Sequence, residues 1–478
     1  VTTPELPPSH PDAVKIVAAA IPEPSLRIAP IFVGEGGYGT ILDASGEATS
    51  RHFHVATAAE KALAAEDLEY LKVKGCFTLP VEIGELVKAY FQFVHPTFPV
   101  IDGALFLQNY AVSGPQGINL LLLWSMFSVS ASYIPSSTRK ESKETYVHRA
   151  KLLFDLSQES DKIVLVQSAL LLSFWFADAE DVKQSWYWTS IAFSIAQTVG
   201  LHREVRSGHA QVTAQQRSLW RNIWHCCMIR DVWLAFGMGR PLRINASDCD
   251  CLMPEDADCK FTDLVLHGEK LYSASEAAGF VSMWQSLITT SNVLRDIITN
   301  KNLSPSQVKS FESRINVQDV NSSSFLLRRA DRHLKLHQYA TIIALARTGG
   351  LKERLGKAAD GTTAIIQAFL NDNTTVYAAP VTVPLVVPAM VTYLTIIKSK
   401  RPVARKLKNE MLGTYSRFLT AIEDNYPAAS ILKRVFAAAQ NAIASKTSAR
   451  DEDDAQSDLM DQITSSWDLD WLGQKTSL

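Results

Sequence analysis

A chain of 478 residues, 47% hydrophobic and 20% charged, is long enough to bury a large core and to divide into two or three domains. Its 47 basic and 49 acidic residues leave a net charge of -2, which excludes the basic surplus of a self-sufficient nucleic-acid binder. Six scattered cysteines make no disulfide framework and point to a reducing compartment.

The chain starts at a valine, as expected of a piece cut or processed from something longer, and its polar, proline-rich first residues have no signal-peptide pattern. Residues 1–55, rich in Pro, Gly and Ser, read as an irregular linker that drapes over a domain. Within it, Gly34 to Gly39 matches the G-x-G-x-x-G spacing of a phosphate loop. The required surroundings (a βαβ unit or the kinase motifs) do not follow, so a plain turn is preferred.

From 56 to 445 the periodicity is helical, with no run of alternating strands and no fixed repeat. The expected fold is all-α: one large helical domain with room for two lobes. Helices are expected over residues 80–93, 140–157, 161–176, 185–199, 214–236, 280–299, 326–347, 362–371 and 405–423. The clearest is 214–236. Thr213 and Gln216 suit a capping box, Trp220, Ile223, Trp224, Cys227 and Met228 make an apolar stripe, and Gly237, Gly239 and Pro241 end it. The uncharged stretches 118–134 and 163–177 are too short to span a bilayer and read as core helices, while 376–397 is broken by Pro380, Pro384 and Pro388. No membrane segment is expected.

Residues 446–478 form a separate acidic tail. Eight acidic residues and no Lys or Arg lie between Asp451 and Leu472, and Leu459, Ile463, Trp467 and Trp471 recur at steps of four. Charge repulsion keeps such a tail disordered, while its apolar residues could line one face of a helix seated on a partner.

Several polar residues need an explanation. Asp231 lies on the apolar stripe, where an unpaired carboxylate would be costly, so a partner is expected. Arg240, beside Pro241 just past the helix, is the nearest candidate, giving a structural clamp. His95 and Pro96 lead into Pro99 and Asp102, where an extended exit and a helix cap near Gly103 are favoured over a catalytic His95–Asp102 dyad, because no nucleophile accompanies them. Cys249, Cys251 and Cys259 fit no zinc spacing and read as small hydrophobes, as do Cys226 and Cys227. His333 and His337, with Arg328, Arg329 and Arg332, read as a solvated basic helix face.

Three stretches resemble the fungal-specific transcription factor domain, the middle homology region of zinc-cluster regulators. They are residues 66–102, with Tyr90-Phe91 leading into Val94-His95-Pro96; 191–204, ending in Gly200-Leu201-His202-Arg203; and 217–254, with Trp220, Asp231 and the Gly239-Arg240-Pro241 turn. Each motif alone is weak, but the three occur in family order. The segment from Glu66 to Pro80 resembles the subgroup that includes cutinase and fatty-acid-response regulators.

The resemblance implies a non-enzymatic, nuclear regulator of transcription whose partners are a coactivator or repressor. DNA and zinc would be bound only through an N-terminal Zn₂Cys₆ cluster. That cluster needs six closely spaced thiolates, and no cysteine precedes Cys76, so this chain itself is expected to hold no zinc or other cofactor. The many aromatic residues between Trp124 and Phe236 leave open a cavity for a small apolar ligand, and a second copy of the chain is a further candidate partner. An enzyme or metabolite-binding protein on the same scaffold, and a pure interaction scaffold, are the competing readings.

Overall fold

Short polar residues set the starts of the helices. Asp102, Asn119, Asp161, Thr213, Ser273, Ser304 and Ser324 each accept a first-turn N–H through the side chain, satisfying donors that have no partner within the helix. The computed structural model describes residues 27–34, 39–44, 51–57, 63–157, 159–176, 184–205, 212–300, 302–315, 317, 322–398 and 402–450.

In chain order the described elements begin with strand β1 (Arg27–Phe32), the short helix α1 (Gly39–Ala44) and strand β2 (His52–Thr57). Helices α2 (Ala65–Val73), α3 (Ile83–Phe93), α4 (Gly103–Ser113), α5 (Leu120–Ser130), α6 (Arg139–Leu156), α7 (Lys162–Leu172) and α8 (Ser185–Val199) follow. Next come α9 (Ala214–Met238), α10 (Asp256–Cys259) and a minimal ribbon of β3 (Val265–Leu266) with β4 (Glu269–Lys270). The last seven are α11 (Ala274–Thr299), α12 (Pro305–Arg314), α13 (Phe325–Thr348), α14 (Lys352–Asn371), α15 (Thr382–Ile397), α16 (Pro402–Ile422) and α17 (Pro427–Arg450).

The fold is all-α, with two small antiparallel ribbons beside the helices. Buried apolar side chains form one contiguous core, running from Leu71 in α2 to Ile443 in α17, rather than two. The uncharged helix α5 is buried nearly all round, and α7 is buried from Val166 to its end. Among the described residues no helix is long and apolar enough to cross a membrane.

Four expectations need correction. The supposed linker contains β1 paired with β2, and Phe32 packs on His52 and His202 at 5.1 Å each, which docks the ribbon on the end of α8. Helix α9 runs through Gly237 to Met238 and stops at Gly239, whose φ of 62° is the left-handed cap. Residues 382–397 form a helix despite their prolines. Pro384 sits in the first turn, where its missing N–H costs nothing, and Pro388 forfeits a single bond inside a buried helix.

Finally, only part of the expected basic face of α13 meets solvent: Arg328 is exposed and Arg332 half-buried, while Arg329, His333 and His337 are buried. The acidic tail beyond Arg450, including Leu459, Ile463, Trp467 and Trp471, lies outside the described residues.

Candidate functional site

The architecture around α9 comes from its charged residues. Asp231, 1% exposed, accepts the backbone N–H of Arg243 at 3.0 Å and of Ile244 at 2.9 Å through Oδ2, and Arg243 Nε at 3.0 Å through Oδ1. Arg243 Nη1 reaches on to the Trp186 carbonyl at 2.8 Å and Ser190 Oγ at 2.7 Å, and the guanidinium lies 3.6 Å from the Trp186 ring centroid. One carboxylate thus pins the turn after α9 onto α8. The clamp exists, but the expected partner was wrong. Arg240 stacks on the far reach of Trp186 at 5.0 Å, and Arg243 takes the carboxylate, because the Gly239-Arg240-Pro241 turn folds the chain back over Asp231 two residues later.

A second clamp ties the 249–259 loop to the start of α9. Arg221 Nε lies 3.1 Å from both Glu204 oxygens, its Nη1 lies 3.1 Å from Asp258 Oδ2, and Glu204 Oε2 also accepts the Leu252 N–H at 3.1 Å. Burial, with Asp248 beside Cys249 and Asp258 beside Cys259, pushes these thiols up, to about 11 and about 12. They are protonated at neutral pH, and no group of three metal-ligating side chains converges among the described residues.

His95 is 2% exposed and boxed by Phe91 and Phe261, with burial lowering it to about 3. Pro96 belongs to the turn that follows α3. Asp102 is engaged elsewhere. It caps α4 by accepting Leu105 N–H at 3.0 Å and also accepts Gln215 Nε2 at 2.7 Å. His95 and Asp102 share no hydrogen bond, and His95 Nδ1 is buried without one.

The G-x-G-x-x-G stretch is flanked by β1 and α1, yet β1 pairs antiparallel with β2, so no βαβ cradle forms around it. Instead Arg51 Nη1 donates to the Gly39 carbonyl at 3.0 Å.

Among the described residues, one feature with room for a ligand and a mainly apolar wall lies at the C-terminal half of α9. A cavity of about 360 Å³ opens between α6, α9, α15 and α17, walled by Phe174, Trp175, Trp233, Phe236, Leu385 and Ile431. That size is at the lower end for small-molecule sites. An adjoining space of about 70 Å³ shares Phe174, Arg230, Trp233 and His337 and adds Arg329 and His333.

Arg230 is 5% exposed. Its Nε donates to Ser173 Oγ at 2.9 Å and its Nη2 to the Ser173 carbonyl at 2.6 Å, while the guanidinium lies 4.3 Å from the Phe174 centroid. Burial lowers it to about 9, with Arg243 adding repulsion. Lys143 Nζ donates to the Asn425 carbonyl at 2.9 Å and to Asn425 Oδ1 at 3.1 Å, and burial lowers it to about 7. Arg329 donates to the carbonyls of Tyr377 at 2.7 Å and Phe93 at 3.0 Å, and its Nη2 is buried without an acceptor.

Among the described residues, all the hydrogen-bond partners of Arg230, Lys143 and Arg329 are neutral. The histidines nearby are neutral too. Ala379 N–H donates to His333 Nε2 at 2.8 Å, so the ring proton is on Nδ1, facing the Arg329 carbonyl. His337 is lowered to about 4 by burial and stands edge-on to Trp233 at 4.5 Å. Of the hydroxyls on the wall, Ser185 donates to the Trp175 carbonyl at 3.3 Å and Tyr426 to the Ala378 carbonyl at 2.8 Å.

Arg230, Lys143, Arg329 and Arg243 were not singled out as site residues from the sequence. Arg329 was read only as part of a solvated basic face, and Arg230 carried a signal in standing next to Asp231 in a mainly apolar run.

Residues 87–328, just over half of the chain, match the fungal specific transcription factor domain. The chain belongs to that family. Among relatives of this fungal-specific domain, it is 37% identical over 209 residues to cutinase transcription factor 1 beta of Fusarium vanettenii, and 33% identical over 184 residues to the acetamidase regulatory protein of Aspergillus oryzae. These matches take in 41% and 37% of this chain and 23% of each relative, so the matched region is under a quarter of either relative. The solved structure of the K. lactis CBF3 core has the same helical fold, with a TM-score of 0.54 at 12% identity over 81% of this chain and 86% of that one. The Asp231 clamp, the Arg221 clamp and the wall of the cavity formed by Phe174 and Trp233 all fall within the matched residues of the family domain.

Proposed function

We propose that this chain is the regulatory region of a nuclear fungal transcription factor acting on RNA polymerase II genes, and that its α9 cavity senses a small, largely apolar molecule. The family and the regulators it resembles support the first part. One observation carries the second: the conspicuous acidic residues are engaged in structural clamps, while the cavity is walled mainly by aromatic and aliphatic side chains and, among the described residues, shows no hydrogen-bonded nucleophile–base pair. That arrangement suits binding and not turnover.

In this reading DNA and zinc belong to a cluster outside the chain, and the contacts within it are with a coactivator or repressor and a second copy. The acidic–aromatic residues Leu459, Ile463, Trp467 and Trp471 supply the activating face. A reporter driven by the chain joined to a heterologous DNA-binding domain tests this. Deleting residues 459–471 is expected to lower output severalfold with no change in thermal midpoint. Equal output from both forms would remove the tail from the account, and turnover of a substrate by the purified chain would replace regulation with catalysis.

A further inference from the structure

Burying a cation is costly unless a negative group faces it. Around the α9 cavity that cost is incurred repeatedly, by Arg230, Lys143 and Arg329, and every hydrogen bond they make goes to a carbonyl or an uncharged side chain. Elsewhere the same fold pairs its buried charges: Asp231 with Arg243, Asp331 with Lys335, Arg221 with Glu204 and Asp258. The contrast is local to the cavity. Arg230 lines both the main cavity and the smaller space beside it, and two of its N–H groups are engaged by Ser173 while the others have no acceptor among the described residues.

We infer that the cavity takes an organic anion, a small monocarboxylate with an aromatic body, whose carboxylate serves Arg230 as the counterion it lacks among the described residues, with the Lys143 amine also lining the cavity. The inference rests on the sensing reading above and names the class of molecule sensed. A guanidinium with free N–H groups matches a carboxylate, and Trp175, Trp233 and Phe236 match a ring. A neutral ligand of the same shape would fill the space but leave the cations as they are. A cationic one would add to their repulsion.

The test is calorimetric titration of the full chain at neutral pH with naphthaleneacetate and with its neutral analogue naphthaleneethanol. The acid is expected to bind about tenfold or more tightly than the alcohol, in line with a charge-assisted hydrogen bond. Arg230→Met is expected to abolish that preference, Arg230→Lys to keep part of it, and Lys143→Met to reduce it. Should Arg230→Met fail to fold, the comparison of the two probes in the wild type and in Arg230→Lys decides. Equal affinities in the wild type would overturn the anion assignment and leave a sensing cavity. Binding of neither probe would overturn both.

Discussion

With Asp231 replaced by alanine, the Arg243 guanidinium would remain half-buried without its carboxylate, and the N–H groups of Arg243 and Ile244 would lose their acceptor. Removing one member of such a pair typically costs about 3–5 kcal/mol. Arg240→Ala removes only a stack on Trp186 and is expected to cost about 0.5–1 kcal/mol. Urea denaturation of the two variants separates them, and comparable losses would contradict the assignment of Arg243. The need for a partner at Asp231 was legible because the residue falls on an apolar helical stripe. The identity of the partner was not, because the path of the chain after Gly239 decides which of two nearby arginines returns to the helix.

At the scale of elements, Gly200 joins α8 to the N-terminal ribbon. Its φ of 85° is left-handed, and a methyl group there would sit 2.6 Å from the Phe32 side chain. Gly200→Ala is expected to destabilise the protein by about 1–3 kcal/mol. Adding Phe32→Gly, which removes the Cβ as well as the ring, should relieve the clash but not the strained dihedral. A double variant as stable as wild type would show that the dihedral costs nothing.

Helix α8 was read to the residue because Gly200 ends it in the sequence itself, and the capping box of Thr213 and Gln216 marked the start of α9. Helix α15 was hidden by prolines whose helical positions cannot be assigned until the helix start is known. On α13 the charges suggested a wet surface. What buries them is the run of carbonyl acceptors at Phe93 and Tyr377, contributed by distant segments.

For the whole molecule, buried neutral histidines set the acid limit. Burial holds His225 and His337 at about 4 and His95 at about 3, and lowers His333 as well, against 6.5 for an exposed ring. Below 6.5 the unfolded chain takes up protons that the folded chain refuses. Stability is therefore full above 6.5 and falls as pH drops toward 4, by on the order of 1.4 kcal/mol per ring for each pH unit. Denaturant midpoints that stay level from pH 6.5 to 4.5 would contradict the burial of these rings.

The fold class was legible because helical periodicity is local. The aromatic wall of the cavity lay in the stretch from Trp124 to Phe236 that raised it, but its position was not legible, because Lys143, Arg230, Leu385 and Ile431 meet only after four separate helices pack.

The most direct measurement is reporter output from the chain joined to a DNA-binding domain, comparing wild type with Ala428→Trp, which places a bulky ring in the cavity wall. Expected is a severalfold change in output, with the thermal midpoint of the purified variant close to wild type. Identical output from two equally folded proteins would contradict a sensing cavity at the centre of this regulator.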